Sequence, residues 1–473
     1  MSAFSMAGTA FAAVPAVPPE RAHPYWTFER VALALGTGPS MPAPLAGVST
    51  DTRRIQRGDV FVALRGERFD AHDFLAEARA SGAAAFVVED GARAAGLGIP
   101  TYVVPDTLVA LGQLAHAWRR AWGRTVIAVA GSNGKTSTKE LLKAALGQTY
   151  VVHATTGNLN NRIGVPLTLL AMPSDAEIAV VEVGTNTPGE VAMLRAIAGP
   201  DVAVVTSIGE EHLEGLGDLA GVLREETAIF DGVTLAVAPA AHPEVTTIAQ
   251  SRAQATVVAG LSAADASGAQ LPQSWGLDDE GRPWLVVDDV RIELPLRGAH
   301  QAANAMLAIA TARACGVPIA DAAEGLARMP VPSMRGVWEQ IGRLTLINDA
   351  YNANPASMRA ALDLLAQVGE GRQRVAILGS MRELGAQEGA QHEAVARAAL
   401  ASPADLIVGI GAFVAAFTSL APGDARVITD GSLDGAWAQL APRLNPDALV
   451  LLKASRGMQL ERLLPQLTTW ATT

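Results

Sequence analysis

Apolar residues along the chain fall into short runs that alternate with amphipathic stretches. In the middle of the chain, three β-branched runs end at glycine: TVIAVAG, IAVVEVG and VAVVTSIG. Such runs predict strands buried on both faces of a parallel sheet. The same rhythm returns nearer the C-terminus in RLTLIND, RVAILGS, DLIVGIG, RVITD and ALVLLKAS, with helical stretches between them. The pattern therefore predicts two α/β blocks.

A smaller α/β block precedes these two. Residues 47–104 mix short β-like runs with one helix, and TLVALGQLAHAWRRAW predicts a helix leading into the middle block. RPWLVVDDVRIELP predicts an antiparallel pair, because an Asp-Asp pair separates two apolar runs. MPVPSMRG, rich in proline, predicts a linker. We therefore expect an α/β protein with a flexible extension at 1–24 and domains at 25–120, 121–332 and 333–473.

Composition narrows the classes of function. A chain of 473 residues is too long for one ordinary core, and a net charge of −11 argues against binding nucleic acid by phosphate neutralisation. Cys315 is the only cysteine, so we expect neither an internal disulfide nor a thiol mechanism. The apolar N-terminus contains prolines and has no Lys or Arg before it, which is unlike a secretion signal. We expect a cytoplasmic protein without a membrane span.

The strongest chemical signal is the segment GSNGKT, which follows the strand TVIAVA and opens a helix. Glycines let backbone N–H groups turn toward phosphate oxygens, and the helix N-terminus favours an anion. Lys135 would neutralise the phosphates and the Thr136 hydroxyl would bind Mg²⁺. The full P-loop pattern is not met, because Val129 stands where its first glycine belongs. The alternative is a tight glycine turn with an exposed lysine.

Two further polar residues follow neighbouring strands of the predicted central sheet. Glu182 ends the strand IAVVEV, and His212 follows VAVVTSIG. Because the carboxyl ends of parallel strands converge on one crevice, we expect both side chains near the phosphate loop. A carboxylate there suits Mg²⁺, which prefers oxygen ligands. A single histidine is more often structural.

The order and spacing of seven segments resemble the Mur ligase family from about Val48 to Arg456. These segments are STDTR with GDVFVALRGERFDAHDF, GSNGKT, TGNLNNRIGVP, GAHQAANA, INDAYNANPASMRAAL, LGSMRELG and LLKASRGM. Y-N-A-N-P is characteristic of the branch that adds D-alanyl-D-alanine. The sequence departs from the family pattern at Thr52, Ala71, Gln301 and Ser380, where Ser, Gly, Asn and Asp are usual.

The resemblance implies three domains: a UDP-substrate-binding domain, a central P-loop ATPase domain with a parallel sheet and a C-terminal Rossmann-like domain. It implies a ligase that uses ATP and Mg²⁺ to join D-alanyl-D-alanine to UDP-N-acetylmuramoyl-tripeptide through an acyl phosphate, in peptidoglycan precursor synthesis. We expect a monomer that binds no nucleic acid.

Site residues follow from the same motifs. The implied catalytic residues are Lys135, Glu182 and His212. The implied ATP contacts are Gly131, Ser132, Asn133, Gly134, Lys135, Thr136, Ser137, Asn304, Arg335, Asp349 and Tyr351. The implied contacts to the other substrates are Asp51, Thr52, Arg53, Thr156, Asn158, Asn160, Asn161, Arg162, Asn352, Asn354, Lys453, Ser455 and Arg456. Thr136, Glu182, His212 and Glu226 are the implied metal ligands.

Glu226 replaces a lysine that many family members carry after the metal-binding histidine. The carbamylated side chain of that lysine helps to bind a second Mg²⁺. No lysine lies between Lys143 and Lys453, so no such carbamate can form here. Glu226 would supply a carboxylate directly, while its neighbour Glu225 would point elsewhere because adjacent residues do not share a helix face. Alternatively, both glutamates lie on a solvated helix face.

Three other functions fit parts of the pattern. A folate polyglutamylating ligase shares the phosphate loop, but Y-N-A-N-P and the UDP-type N-terminal segment argue against it. A non-catalytic nucleotide-binding module would not need Lys135, Glu182 and His212 together. A P-loop motor would need a conventional Walker A loop and an arginine finger, and neither is visible in the sequence.

Overall fold

A computed structural model describes residues 23–66, 68–262, 268–331 and 336–472. The chain divides into two compact units. The first comprises the described residues up to Thr125 together with Thr155–Ala176 and Leu194–Gly199; the second comprises the rest. Arg335 and all of the predicted extension but His23 and Pro24 lie outside the described residues. His23 belongs to folded structure, because its N–H donates to the Leu45 carbonyl over 3.0 Å.

The N-terminal elements form a small α/β fold, as the hydrophobic pattern predicts. A four-stranded parallel sheet has the order β1-β2-β3-β4, and its buried face packs under short helices. The aspartate before the last helix, Asp106, accepts hydrogen bonds from two N–H groups of its first turn. The elements are α1 (Phe28–Leu35), β1 (Val48–Ser49), β2 (Val60–Val62), α2 (Leu75–Ala80), β3 (Ala85–Val88), β4 (Thr101–Val103) and α3 (Thr107–Trp122).

The middle of the chain forms a six-stranded sheet with parallel pairing and the order β10-β9-β8-β5-β7-β6. The three apolar runs named above are its adjacent strands β8, β5 and β7, all buried, which confirms the prediction. The elements are β5 (Thr125–Ala130), α4 (Lys135–Leu146), β6 (Val152–Ala154), α5 (Gly164–Leu170), β7 (Ile178–Glu182), α6 (Glu190–Ala198), β8 (Val202–Val205), α7 (Leu213–Leu216), α8 (Leu219–Glu226), β9 (Leu235–Pro239), α9 (Pro243–Arg252) and β10 (Ala255–Ala259).

A three-stranded antiparallel sheet and two helices follow. The predicted antiparallel pair is confirmed: Asp288 and Asp289 have φ of 49° and 61° and form the two-residue turn between its strands. Positive φ at both central positions matches the twist of a hairpin. Helix α10 is buried along most of its length and packs against α4. The elements are β11 (Ser274–Leu277), β12 (Pro283–Val287), β13 (Val290–Glu293), α10 (Ala299–Ala314) and α11 (Ile319–Ala327).

The C-terminal elements form a second six-stranded sheet with the order β14-β15-β19-β16-β17-β18, in which only β14 runs antiparallel. All five strands predicted from apolar runs are present. The elements are β14 (Val337–Ile341), β15 (Leu344–Asp349), α12 (Pro355–Val368), β16 (Arg374–Leu378), α13 (Glu388–Ala401), β17 (Leu406–Ile410), α14 (Phe413–Leu420), β18 (Val427–Asp430), α15 (Leu433–Leu440), β19 (Leu449–Lys453) and α16 (Leu464–Thr472).

The middle and C-terminal sheets belong to one compact unit because they share apolar packing. Leu213, Leu216 and Val222 of α7 and α8 lie in the same buried cluster as Ile347 and Met358 of the C-terminal part. Burial of a leucine side chain stabilises by about 1.5–3 kcal/mol. These helices therefore attach the loop that carries His212 to the C-terminal sheet. Among the described residues, no helix is both long and apolar enough to cross a bilayer.

Asp59 of the first unit leads to a stability prediction. It is 6% exposed, and burial raises its pKa to about 6, against an opposing hydrogen bond from the Gln56 N–H. The folded state therefore holds a proton that the unfolded chain releases near pH 4, and ionisation destabilises the fold as the pH rises through 6. We expect Asp59→Asn, which keeps the acceptor, to stabilise this unit by about 3 kcal/mol at pH 7.5 and by far less at pH 4.

Urea unfolding of both proteins followed by circular dichroism at several pH values between 4 and 7.5 measures this difference. A stability difference that does not change with pH would contradict the assignment.

Candidate active site

The phosphate loop lies between β5 and α4, where the sequence places it. Gly131 and Gly134 have φ of 118° and 88°, values that side chains rarely adopt. A Cβ at Gly131 would overlap Thr206, so the loop approaches the end of β8 closely. Gly134 directly precedes α4, whose first residues are Lys135 and the buried Thr136. The glycines therefore have the backbone role that the motif predicts.

The first three N–H groups of this loop donate to the protein. Gly131 N–H donates to Glu226 Oε2 over 2.6 Å, Ser132 N–H to the Ser207 carbonyl over 2.8 Å, and Asn133 N–H to Ser207 Oγ over 3.0 Å. Donors for an anion must therefore come from the first turn of α4, where a helix leaves N–H groups without intrahelical partners. Ser207 was not among the predicted site residues, although it lies in the glycine-bounded run after β8.

Side chains also fix the loop to the segment that follows β8. Ser132 Oγ donates to the Gly209 carbonyl over 3.1 Å and accepts from the Gly209 N–H over 2.9 Å. The Asn133 carbonyl accepts from Thr206 Oγ1 over 2.6 Å. The Ser132 hydroxyl, which was predicted to contact ATP, thus makes both of its bonds with the Gly209 backbone. Hydrogen bonds within the protein thus fix the loop at Gly131, Ser132 and Asn133.

Lys135 lies between buried carboxylates. Its Nζ donates to the Gly131 carbonyl over 2.5 Å and lies 3.6 Å from Glu211 Oε1. Glu226 is fully buried; burial raises its pKa to about 7, the Lys135 charge opposes this, and Glu211 adds to it. Two carboxyl groups thus share one lysine beside the loop. Glu211 was missed from the sequence, although it directly precedes His212.

Glu225 and Glu226 point in different directions, as the sequence predicts, and the alternative of a solvated helix face is wrong. Both residues are buried. Glu225 accepts hydrogen bonds from the N–H groups of Gly189 and Val191 over 2.7 Å each, so it caps the start of α6. Glu226 instead binds the phosphate loop. Of the two glutamates, Glu226 is therefore the one that lies at the phosphate loop.

The candidate metal ligands fit an ion that is completed by substrate oxygens. Glu182 ends β7 with 1% exposure, and Thr136 is buried in the first turn of α4. Within the described residues, no three or more His, Cys, Asp or Glu side chains are arranged to hold a metal. Mg²⁺ commonly takes one or two protein oxygens and completes its shell with phosphates and water. Glu226 Oε1 is buried and has no hydrogen-bond partner within the described part of the chain, so it is a further candidate ligand oxygen.

His212 bonds to the C-terminal part of the chain. Its Nδ1 makes a short hydrogen bond with Glu383, and its Nε2 lies 3.7 Å from Glu211. Burial lowers the pKa of His212, but the bond to Glu383 and the charge of Glu211 outweigh it, and the pKa is raised. Glu383, in the segment LGSMRELG, was not a predicted site residue. The backbone is tied there too, since Glu214 N–H donates to the Glu383 carbonyl over 3.1 Å.

Asn304 contacts the phosphate loop. A Cβ at Gly134 would lie 2.7 Å from Asn304 Oδ1, which means that the amide packs directly against that glycine. Asn304 Nδ2 donates to Gln301 Oε1 over 3.2 Å. Asn304, which was predicted to contact the nucleotide, therefore lies at the Gly134 end of the loop. Gln301 orients its amide.

Side chains at the end of β19 and just after it bond to the segment 349–355. Lys453 is 2% exposed; its Nζ lies 2.7 Å from Asp349 Oδ2 and donates to the Asn352 carbonyl over 2.8 Å. Ser455 is also buried and donates to the Ala353 carbonyl over 3.3 Å. Lys453 and Ser455, predicted to bind the substrate carboxylate, thus support this segment from within the fold.

Three predicted residues of this region remain accessible. Asn352 is exposed, and Tyr351 is half-buried. The Arg456 guanidinium is 57% exposed and pairs with Glu461 over 2.5 Å. Of the residues in this part of the chain that were predicted to contact the dipeptide or its carboxylate, Asn352 and Arg456 are the exposed ones.

In the first unit, Asp51, Thr52 and Arg53 form a tight local cluster. Asp51 accepts from the Arg53 N–H and makes two further bonds of 2.8 Å with its guanidinium, which lower the pKa of Asp51 to about 2. Thr52 Oγ1 donates to Glu77 Oε1 over 2.6 Å. The Arg53 side chain is 84% exposed, so it is available to an anion.

The asparagine-rich segment of the first unit ends at α5. Asn161 Oδ1 accepts the N–H groups of Ile163 and Gly164 over 3.1 and 2.9 Å, so it caps that helix. Thr156, Asn158 and Arg162 are exposed, and Asn160 is half-buried. Asn161, one of the predicted substrate contacts, therefore has a structural role at the start of α5.

Sequence models of known families match three stretches of the chain. The Mur ligase family catalytic domain matches residues 44–119, the Mur ligase middle domain 129–312, and the Mur ligase glutamate ligase domain 334–456. The chain belongs to the Mur ligase family. This membership confirms the resemblance inferred from the sequence, and with it the three-domain α/β architecture.

Two relatives in this family carry the same name, UDP-N-acetylmuramoyl-tripeptide--D-alanyl-D-alanine ligase. The one from Bacillus subtilis is 35% identical over 431 residues, which cover 89% of this chain and 93% of the relative. The one from Escherichia coli is 37% identical over 374 residues, 78% of this chain and 81% of the relative.

Solved structures of the family have the same fold. A crystal structure of MurF from Acinetobacter baumannii superimposes with a TM-score of 0.85 at 31% identity, over 95% of this chain and all of that one. MurF from Thermotoga maritima in complex with ADP gives a TM-score of 0.77 at 26% identity, over 90% of this chain and 98% of that one. Folylpolyglutamate synthase from Mycobacterium tuberculosis, at 21% identity and a TM-score of 0.61, shows the fold alone.

The packing of Asn304 on Gly134 can be tested by one added methyl group. We expect Gly134→Ala to raise the KM for ATP at least tenfold, because the methyl displaces Asn304 and the loop while the backbone stays at φ 88°. Gly189→Ala is the matched control, since Gly189 has φ 86° with open space around it. Equal losses of ATP affinity in both variants would attribute the effect to backbone strain alone.

Proposed function

We propose that this chain is an ATP-dependent ligase that joins D-alanyl-D-alanine to UDP-N-acetylmuramoyl-tripeptide, in the cytoplasm and as a monomer. The observation that carries the proposal is the arrangement of GSNGKT and YNANP in one compact unit, with Asn354 Nδ2 donating to Asn133 Oδ1 over 2.8 Å. A phosphate loop thus contacts the segment that marks the D-alanyl-D-alanine branch. The names of the two relatives support the same reaction.

A carboxylate is a poor electrophile, so it must be activated before an amine can attack it. The tripeptide carboxylate takes the γ-phosphoryl group of ATP, and the amine of D-alanyl-D-alanine then displaces phosphate from the acyl phosphate. Lys135 and the first turn of α4 offset negative charge at the transferring group, so catalysis is mainly electrostatic and positional. Asp349 and Tyr351 contact the nucleotide beside Asn304.

Thr136, Glu182 and Glu226, together with His212, are the residues that would hold Mg²⁺ around the phosphates. The ion would supply positive charge where phosphate oxygens meet these carboxylates. Glu226 takes the place of the carbamylated lysine of other family members, so activity does not depend on dissolved CO₂.

The domain limits 25–120, 121–332 and 333–473 are part of the proposal. Asp51, Thr52, Arg53 and the residues around Asn158 hold the nucleotide sugar, while Asn352 and Arg456 hold the dipeptide. We infer from the sequence that MPVPSMRG is a hinge for domain closure and that Arg335 contacts ATP; residues 332–335 lie outside the described residues. Small-angle scattering should show that the protein is more compact with an ATP analogue, UDP-N-acetylmuramoyl-tripeptide and D-alanyl-D-alanine than without ligands.

Substrate dependence tests the reaction directly. Phosphate release from ATP should require both UDP-N-acetylmuramoyl-tripeptide and D-alanyl-D-alanine, because the acyl phosphate turns over only when the amine attacks. Colorimetric phosphate assays with each substrate omitted in turn measure this, and mass spectrometry identifies the pentapeptide product. Release without the dipeptide, or with glutamate in its place, would contradict the proposal.

Glu226 can be tested by separating its two roles. Glu226→Gln keeps an acceptor for the Gly131 N–H but removes the charge, whereas Glu226→Ala removes both. If the carboxylate holds Mg²⁺, both variants should raise the Mg²⁺ concentration needed for half-maximal activity about tenfold or more. Glu225→Gln, which keeps an acceptor at the start of α6, is the control and should need no more Mg²⁺ than the wild type. Wild-type Mg²⁺ dependence in Glu226→Gln would limit Glu226 to positioning the loop.

A further inference from the structure

Asn352 and Asn354 lie two residues apart in one motif, but their side chains have different surroundings. Asn352 is exposed, and among the described residues its Oδ1 accepts only from the adjacent Ala353 N–H, over 2.9 Å. Asn354 is 5% exposed, and both ends of its amide are bonded to the protein. The two residues therefore cannot play the same part in binding a substrate.

The acceptor end of the Asn354 amide caps α12. Its Oδ1 accepts the Ser357 N–H over 2.9 Å, and Ser357 Oγ accepts the Asn354 N–H over 3.0 Å, which completes a capping box. Pro355 occupies the first position of the helix, where no N–H is needed. The start of α12, and with it the segment Tyr351–Asn354, is thereby held in one conformation.

The donor end of the same amide reaches the phosphate loop. Asn354 Nδ2 donates to Asn133 Oδ1 over 2.8 Å, between residues 221 positions apart. Asn133 is itself fixed, since its N–H donates to Ser207 Oγ and its carbonyl accepts from Thr206 Oγ1. One hydrogen bond thus joins two rigid elements, the loop that opens α4 and the cap that opens α12.

We propose that Asn354 is a positioning residue that couples the nucleotide loop to the acceptor segment through Asn133, and that Asn352 is the asparagine that contacts the dipeptide. This rests on the proposed function and deepens it. The reaction requires the amine of the dipeptide to reach the carbonyl carbon of the acyl phosphate, which forms beside the phosphate loop. The Asn133–Asn354 bond sets the distance between the two elements that hold these groups. It differs from the sequence-based expectation that both asparagines bind the dipeptide.

A double-mutant cycle isolates this bond. Asn133→Ala removes the acceptor, and Asn354→Ser removes the donor while keeping a side chain that caps α12. Each should lower kcat/KM for D-alanyl-D-alanine about tenfold, because a partly buried hydrogen bond is lost and the reacting groups are misplaced. The double variant should be no worse than the worse single variant, since both changes delete one interaction.

Ser357→Ala is the matched control, because it breaks the other half of the capping box and leaves the bond to Asn133 intact. It should retain kcat/KM within about twofold of the wild type. Asn352→Ala should instead raise the KM for the dipeptide with little change in the KM for ATP. Losses that multiply in the double variant, or a Ser357→Ala variant as impaired as Asn354→Ser, would overturn the coupling.

A second readout needs no acceptor substrate, so it stays informative even if the wild type does not use D-alanyl-D-alanine. Hydrogen–deuterium exchange of the full chain is measured with and without a non-hydrolysable ATP analogue and Mg²⁺. Nucleotide should slow exchange at residues 351–358 in the wild type and in Ser357→Ala, and this protection should be lost in Asn133→Ala and Asn354→Ser. Undiminished protection in both variants would overturn the proposal, whereas failure of the dipeptide assay in the wild type alone would overturn only the assigned reaction.

Discussion

The ammonium of Lys135 between Glu211 and Glu226 is the interaction on which the rest of the site depends. An isolated charge buried at this depth would destabilise the fold by several kcal/mol. Lys135, Glu211 and Glu226 therefore depend on one another for charge compensation. Through Glu226 the cluster also holds the Gly131 N–H, and through Lys135 the Gly131 carbonyl. Both backbone polar groups of Gly131, which belong to two successive peptide groups, are therefore bonded, and these bonds hold the turn between β5 and α4.

Charge balance in this cluster suits the proposed divalent cation. One lysine faces two carboxylates, and Glu182 ends the neighbouring strand, so the negative charges outnumber the positive ones. The raised pKa of Glu226 reflects this excess, because burial and the neighbouring Glu211 carboxylate both disfavour its ionised form. Phosphates add further negative charge, and a cation coordinated by carboxylate and phosphate oxygens offsets it better than a proton can.

Much of the fold follows from hydrophobic periodicity, and the placement of the motifs follows from the fold. Buried β-branched runs predict the parallel strands, and loops after adjacent parallel strands must meet at one edge. The sequence therefore predicts that the loops bearing Lys135, Glu182 and His212 converge. It does not predict Glu383 against His212, because that contact depends on helices α7 and α8 packing on the C-terminal sheet through Leu213 and Val222.

What the sequence cannot assign is which polar side chains of a motif face the ligand. Asn352 and Asn354 are chemically identical, as are Glu225 and Glu226, and helical periodicity indicates diverging side chains only for the adjacent glutamates. Their roles depend on which donors and acceptors the fold already uses. Asn354 uses both ends of its amide and Lys453 uses its charge on Asp349, so both stabilise the site from within. The groups left for ligand are fewer than the motifs contain, and the remaining polar residues keep those few in place, as electrostatic catalysis requires.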